Sequence, residues 1–319
     1  MLKRNVFGSG VLAAIVLSLC VARLHAQAEA PAAAPAAPAA PAAEAPVKEV
    51  HKDVPYVPTP EPVVDKMIEL AKVTKDDVAY DFGCGDGRLV IAAVKAGAKR
   101  GLGVDIDPER IKEANENAKT AGVTDKVKFE EKDLFTMDFK DATVLTMYLL
   151  PSVNMKLRPK ILDEMKPGSR VVSHAFDMED WEPEQEVTVE PGGQTVYMWT
   201  VPAKVEGAWD VKIKNGQGEQ QAKLDLKQNI NKVTGTAKIG DKEAQIADAK
   251  LIGDQLTFAL SDQPDVKYTC KVNGSSINGT AKGNGAAGEA QLAGSKQGGD
   301  AGAQQPKPEA KPEAKPAAQ

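Results

Sequence analysis

Between Pro62 and about Pro202, short apolar runs alternate with stretches whose apolar positions recur every three or four residues. That spacing predicts a helix over Pro62 to Lys72, with Val63, Met67, Leu70 and Ala71 on one face. A strand is expected at Val78 to Phe82 and a helix at Arg88 to Ala96. The next strand, Leu102 to Ile106, leads into a helix over Pro108 to Thr120. Asp107 can cap that helix by accepting a free amide, and Pro108 suits the first helical position, where no amide is needed. Val127 to Glu130, Ala142 to Met147 and Val171 to Phe176 read as further strands. Strands alternating with helices predict an α/β fold, a parallel sheet with helices on both faces.

From about Glu206 the period shortens to two. Trp209-Asp210-Val211-Lys212-Ile213 and Leu224-Asp225-Leu226 are followed by Gln255 to Leu260 and Tyr268 to Val272, with Asn-Gly and Gly-Asp pairs between them. Those are hairpin signals, so residues 206–293 are expected to form a small antiparallel β barrel or sandwich. Val201 to Val205 is the expected boundary, leaving residues 54–203 as the first folded region.

The two ends differ from both regions. Lys3 and Arg4 precede an apolar stretch, Val11 to Ala22, and Ala26-Gln27-Ala28 offers small residues around a cleavage point. Residues 1–28 therefore read as a signal peptide, with export to the periplasm or cell envelope. An uncleaved membrane anchor is the alternative, although Arg23 interrupts the run before about 20 apolar residues are reached. Ala30 to Pro46 is an Ala/Pro tract, so 29–53 reads as an extended linker. The stretch 294–319 closes on two Lys-Pro-Glu-Ala repeats and reads as a disordered tail.

Charge and rare residues narrow the chemistry. Lys and Arg total 40 against 45 acids, a net charge of -5, so no basic excess advertises a nucleic-acid partner. With 3 histidines and 3 cysteines, none at ligand spacing, no metal site is expected.

The most informative segment is Asp81-Phe82-Gly83-Cys84-Gly85-Asp86-Gly87, directly after the first strand and opening a helix. Parallel sheets bind ligands at such a crevice, and glycines let a ligand press against the backbone. A pyrophosphate-binding loop would be spaced G-x-G-x-x-G, but Arg88 stands where the third glycine belongs. Asp81 and Asp86 would repel a pyrophosphate and would suit an ammonium group. The ligand expected is S-adenosylmethionine (SAM), which carries no phosphate. Asp105, with Ile106 beside it, ends the second strand, where an acid can accept both ribose hydroxyls. Asp133 follows the third strand, placed to accept the adenine amino group with the Leu134 backbone close to the ring.

These segments together resemble one family. DVAYDFGCGDGRLVIAA, GVDIDPERIKEANENA, VKFEEKDLF, TMYLLPSVNMKLRPKIL and VVSHAFDMEDW are similar to bacterial relatives of particular lysine methyltransferases. Those enzymes modify the mitochondrial ATP synthase c-subunit and the adenine nucleotide translocase. The stretch Val54 to Pro60 matches the same family's pre-domain segment, and the similarity runs to about Ala203. The signal peptide, the Ala/Pro tract and the β-rich region depart from the eukaryotic pattern. The resemblance implies a Rossmann-like class I methyltransferase, SAM as cofactor, and a lysine in a protein substrate; the export signal adds the expectation that this protein is one of the envelope or is membrane-associated.

The fourth strand ends at Tyr148-Leu149-Leu150-Pro151, where this superfamily faces its acceptor. An Asn-Pro-Pro-Tyr sequence, suited to adenine or glutamine amides, is absent. A lysine acceptor must lose its proton first, and Tyr148 is the candidate for the wall of a desolvating pocket. His174 reads as a hydrogen-bonded structural residue rather than a base, and Asp177 and Trp181 border the same rim. The competing reading is an exported binding or scaffolding protein that keeps the fold without turnover.

Overall fold

The structure is a computed structural model that describes residues 55–283 and 289–298. The expected signal peptide, the linker and residues 299–319 lie outside the described residues.

The first region opens with helix α1 (Glu61–Ala71), then alternates β1 (Val78–Phe82), α2 (Arg88–Lys95), β2 (Arg100–Asp105), α3 (Pro108–Ala121) and β3 (Val127–Glu131). Strand β4 (Val144–Met147), helix α4 (Pro151–Glu164) and β5 (Arg170–His174) follow. The Asp107 carboxylate accepts from the Glu109 amide at 3.0 Å, the cap expected at the start of α3. Side chains alternate across the strands, and two cores result. Tyr80, Phe82, Leu145, Met147 and Val171 pack with Val153, Leu157 and Ile161 of α4. Ala79, Val144 and Val172 face the other way, against α1 and α2.

One feature corrects the expectation of a wholly parallel sheet. Two more strands, β6 (Gln185–Val189) and β7 (Gln194–Thr200), form a hairpin whose β7 inserts beside β5 antiparallel to it. The sheet order is β3-β2-β1-β4-β5-β7-β6. All the parallel strands end on one side, and the glycine loop follows β1 there.

The β-rich region is a barrel rather than a sandwich. Strands β8 (Gly207–Asn215), β9 (Gly218–Asn229), β10 (Lys232–Ile239) and β11 (Lys242–Ile252) run up and down. They continue through β12 (Gln255–Leu260), β13 (Gln263–Asn273), β14 (Ser276–Gly283) and β15 (Ala290–Lys296). β15 pairs with β8 and closes the ring, which leaves no open sheet edge. β15 runs to Lys296, past the expected end at Ala293, because its last residues pair with Asp210 and Trp209. Trp209, Leu226, Leu256 and Phe258 are among the side chains filling the interior.

The barrel meets the first region at the end of the sheet where β5 begins. The Ala203 amide donates to the Gly253 carbonyl at 2.8 Å. Asn231 donates to the Glu182 carbonyl at 2.9 Å, and Lys232 pairs with the Glu182 carboxylate at 2.6 Å. The Gln228 amide donates to the Ala203 and Ile230 carbonyls and its oxygen accepts from the Val205 amide at 2.7 Å. Ile230 packs against the α4-side core, while Ala203 and Val205 belong to the barrel core.

Candidate functional site

A cavity opens where β1, β2, β3 and β4 end. It is lined by residues between Pro55 and Phe176, and no barrel residue contributes among those described. Asp81, Gly83, Cys84, Gly85, Asp86, Asp105, Ile106, Asp133, Leu134 and Tyr148 all line it. The cofactor-side and acceptor-side candidates therefore share one space. Gly87 does not line it. It starts α2 with φ 79°, and a Cβ there would come within 2.7 Å of the Phe129 ring, so its role is packing. Gly85 is different: with φ 52°, an added Cβ would lie 2.5 Å from the Tyr56 ring, inside the cavity wall. Cys84 contributes its backbone, because its side chain sits in a core with Val90, Ala114 and Phe129, and burial pushes its thiol well up. Both described cysteines, Cys84 and Cys270, are free.

The acids of the loop have separate surroundings. Asp86 is engaged by Arg88, whose Nη2 lies 2.5 Å from one oxygen and whose Nε donates to both. That pair partly neutralises the charge Asp86 presents to the cavity it lines. Asp81 is 2% exposed and accepts from the Thr146 hydroxyl at 2.8 Å. Burial, with Asp105 and Asp86 nearby, raises its pKa to about 8. Asp105 holds the loop as well as facing the cavity: it accepts from the Gly85 amide at 2.9 Å and from the Asp107 amide at 3.0 Å. Asp133 is exposed and accepts from the Phe135 amide at 2.9 Å, which anchors the short 3-10 turn Leu134–Thr136.

The residues fit SAM by this arrangement. Five carboxylates line the pocket, Asp81, Asp86, Asp105, Asp107 and Asp133; Arg88 serves Asp86 and Arg110 lies beside Asp107, so a positively charged nucleoside compensates what a phosphate would aggravate.

Sequence reasoning missed the roof of the cavity, Pro55 to Thr59. Arg110 stacks on the Tyr56 ring at 4.6 Å, and Arg88 donates to the Thr59 carbonyl at 2.7 Å. The Tyr-x-Pro-Thr-Pro pattern before a helix was visible in the sequence. Nothing local in it says that the segment folds back over the glycine loop.

On the acceptor side, the Tyr148 ring lies 3.8 Å from His174 and 6.3 Å from Phe176, centroid to centroid. His174 is 2% exposed, outside the cavity lining, and burial lowers its pKa to about 4. It is neutral near pH 7 and closed off, in keeping with a structural residue. Asp177 is exposed and does not line the cavity. Trp181 is not on the rim: it is fully buried against Trp199, which donates to the Trp181 carbonyl at 2.7 Å. Among the described residues no group of acids, histidines and cysteines has metal-binding geometry.

This sheet order, with a glycine loop after β1 and acids after β2 and β3, defines a class I methyltransferase. Residues 81–185 match the family model of the ANTKMT methyltransferase domain. A protein-lysine N-methyltransferase of Saccharolobus islandicus is 48% identical over 151 residues, spanning 46% of this chain and 94% of that protein. The chain belongs to that family of protein-lysine N-methyltransferases. The mouse adenine nucleotide translocase lysine N-methyltransferase is 32% identical over 130 residues, 41% of this chain and 56% of the mouse protein. Among solved structures, an RNA methyltransferase from Salinibacter ruber in complex with S-adenosyl-L-homocysteine is 55% identical, covers 47% of this chain and 96% of that one, and superposes with a TM-score of 0.45.

Proposed function

We propose that the chain binds SAM against the ends of β1, β2 and β3 and methylates the side-chain amine of a lysine that enters beside Tyr148. The observation that carries this reading is the single cavity joining the carboxylates of Asp81 and Asp105 to the aromatic wall of Tyr148 and Phe176. Bound SAM supplies a methyl group on a positively charged sulfur, which keeps the electrons of the broken bond as the amine takes the methyl.

The protein's task is then to position and to desolvate. Asp105 would hold the ribose hydroxyls, Asp133 the adenine amine, and Asp81 the ammonium group. A lysine amine must be neutral to attack, and bringing its pKa from about 10.4 to 7 costs about 4 to 5 kcal/mol. Tyr148, Phe176, Leu150 and Val153 present largely apolar surface on that side, which disfavours the ammonium form. With His174 buried, the proton leaves through the acceptor entrance. The test is incubation with methyl-labelled SAM and lysine-containing proteins, followed by mass spectrometry. Label on lysine is expected, and label on no lysine overturns the reading.

We further place the acceptor in the cell envelope or a membrane. The support is Lys3, Arg4, the apolar Val11 to Ala22 and the small residues at Ala26-Gln27-Ala28. Fractionation with mass analysis of the mature N-terminus tests this, with a start after Ala26 or Ala28 expected. An intact Met1 in the cytoplasm overturns it.

A further inference from the structure

The roof Pro55 to Thr59 spans both halves of the cavity, but its ties are uneven. On the cofactor side it has several. Arg88 holds the Thr59 carbonyl at 2.7 Å, Arg110 stacks on Tyr56 at 4.6 Å, and the Tyr56 ring lies against Gly85. On the acceptor side, among the described residues, one side-chain hydrogen-bond contact joins the roof to β5: the Thr59 hydroxyl lies 3.3 Å from His174 Nδ1. Both groups are buried, Thr59 at 4% and His174 at 2% exposure.

The same imidazole supports the acceptor wall. Its ring lies 3.8 Å from that of Tyr148, and the chain turns directly after it. The Phe176 amide donates to the His174 carbonyl at 2.9 Å, and Ala175 takes φ 67° while donating to the Thr195 carbonyl. Tyr148 is thus in ring contact with both His174 and Phe176. Among the described residues, His174 Nε2 is buried and has no hydrogen-bond partner, so the imidazole's recorded polar contact is the one through Nδ1. An imidazole here is explained by what its other nitrogen and its ring face hold.

We propose that His174 is a positioning residue that fixes the roof, through Thr59, and the acceptor wall, Tyr148, relative to each other across the lysine entrance. This rests on the lysine-transfer reading above. The contact belongs to the acceptor half alone, so its loss should spare SAM binding and impair transfer to the acceptor.

The experiment uses the full chain and two variants. Thr59→Val removes the hydroxyl and keeps the shape, and His174→Phe keeps a ring beside Tyr148 but cannot hold Thr59. In each, kcat/KM for a lysine peptide should fall about 3- to 10-fold, the range one lost neutral hydrogen bond gives. SAM affinity should stay within about twofold. A His174→Gln variant, which can still reach Thr59, should recover part of the loss. Hydrogen exchange reads the same tie without any acceptor: the amides of Tyr56, Val57 and Thr59 should exchange faster in Thr59→Val, with Arg88 and Leu89 unchanged. Unaltered exchange in the roof, or SAM affinity falling in step with kcat/KM, overturns the proposal. A wild-type chain that labels no lysine, together with faster exchange in the variant, overturns the functional reading and leaves the tie standing.

Discussion

The Thr146 hydroxyl donates to the buried Asp81 carboxylate at 2.8 Å, and no lysine or arginine pairs with that carboxylate among the described residues. With its pKa raised to about 8, Asp81 is mostly protonated at neutral pH in the free protein. A cationic ligand favours the charged form, so SAM binding should release a proton. Affinity should strengthen as pH rises from 6 to 8, by up to about tenfold per unit, and level off above. Calorimetry in buffers of different ionisation enthalpy measures the released proton directly. No buffer dependence at pH 7 would refute the linkage.

The same group sets a stability trend of known sign. Its folded pKa lies above the unfolded value, so its contribution is fully present below about pH 4 and is lost as pH rises through about 8. Asp81→Asn removes the buried charge. The variant should melt higher than wild type at pH 8.5, show a smaller difference at pH 5, and bind SAM at least tenfold more weakly. Thermal melts at the two pH values check the first two outcomes, and titration the third.

Gly85 and Gly87 sit two residues apart and should fail differently. Gly85→Ala meets the Tyr56 ring, the movable part of an exposed side chain, so SAM binding should weaken while stability falls by the left-handed backbone strain alone, about 1 kcal/mol. Gly87→Ala meets the buried Phe129 ring and Ala114, so it should cost about 1 to 3 kcal/mol of stability. Denaturant titration and SAM titration on both variants separate the two effects. Equal stability losses would mean that the roof is as rigid as the core.

Asp105→Ala should raise the SAM dissociation constant roughly 30- to 150-fold, the equivalent of about 2 to 3 kcal/mol for charge-assisted hydrogen bonds. Asp105 also holds the Gly85 amide, so Asp105→Asn, which can keep that bond, should lose less. Titration of both variants decides, and unchanged affinity in the alanine variant would remove Asp105 from the cofactor site.

Truncation after Ala203 should leave a folded first region that binds SAM within about threefold of the full chain, because no described barrel residue lines the cavity. Its melting temperature should drop by several degrees, as Ile230, Asn231 and Lys232 no longer pack on it. Circular dichroism and SAM titration test this. An unfolded fragment would make the barrel part of the methyltransferase core.

Much of the fold was legible because apolar period and caps act locally. The strands at 78, 100, 127 and 144 and the Asp107 cap follow from residues within a turn of each element. The β6–β7 hairpin was missed although Pro191-Gly192-Gly193 separates two alternating runs, since the helix-strand rhythm before it suggested more of the same. Barrel closure depends on β15 meeting β8, a pairing at long sequence separation that no local pattern encodes. In the site, Asp81 and Asp105 were placed by strand ends. The capture of Asp86 by Arg88, the burial of Trp181 and the roof over Gly85 depend on three-dimensional neighbours.

The way the two bodies meet also bears on motion. Ile230 of the barrel lies against the methyltransferase core, and Ala203 and Val205 of the exit segment lie in the barrel core. Ile230 is half-buried against the first region and the exit segment is anchored in the barrel, so relative motion would have to pull these side chains away. Hinge motion between domains, the usual way two-part enzymes admit a large substrate, would here have to break these contacts first. The roof, by contrast, is tied to the rest of the cavity through side chains, Arg88 and His174 at Thr59 and Arg110 at Tyr56.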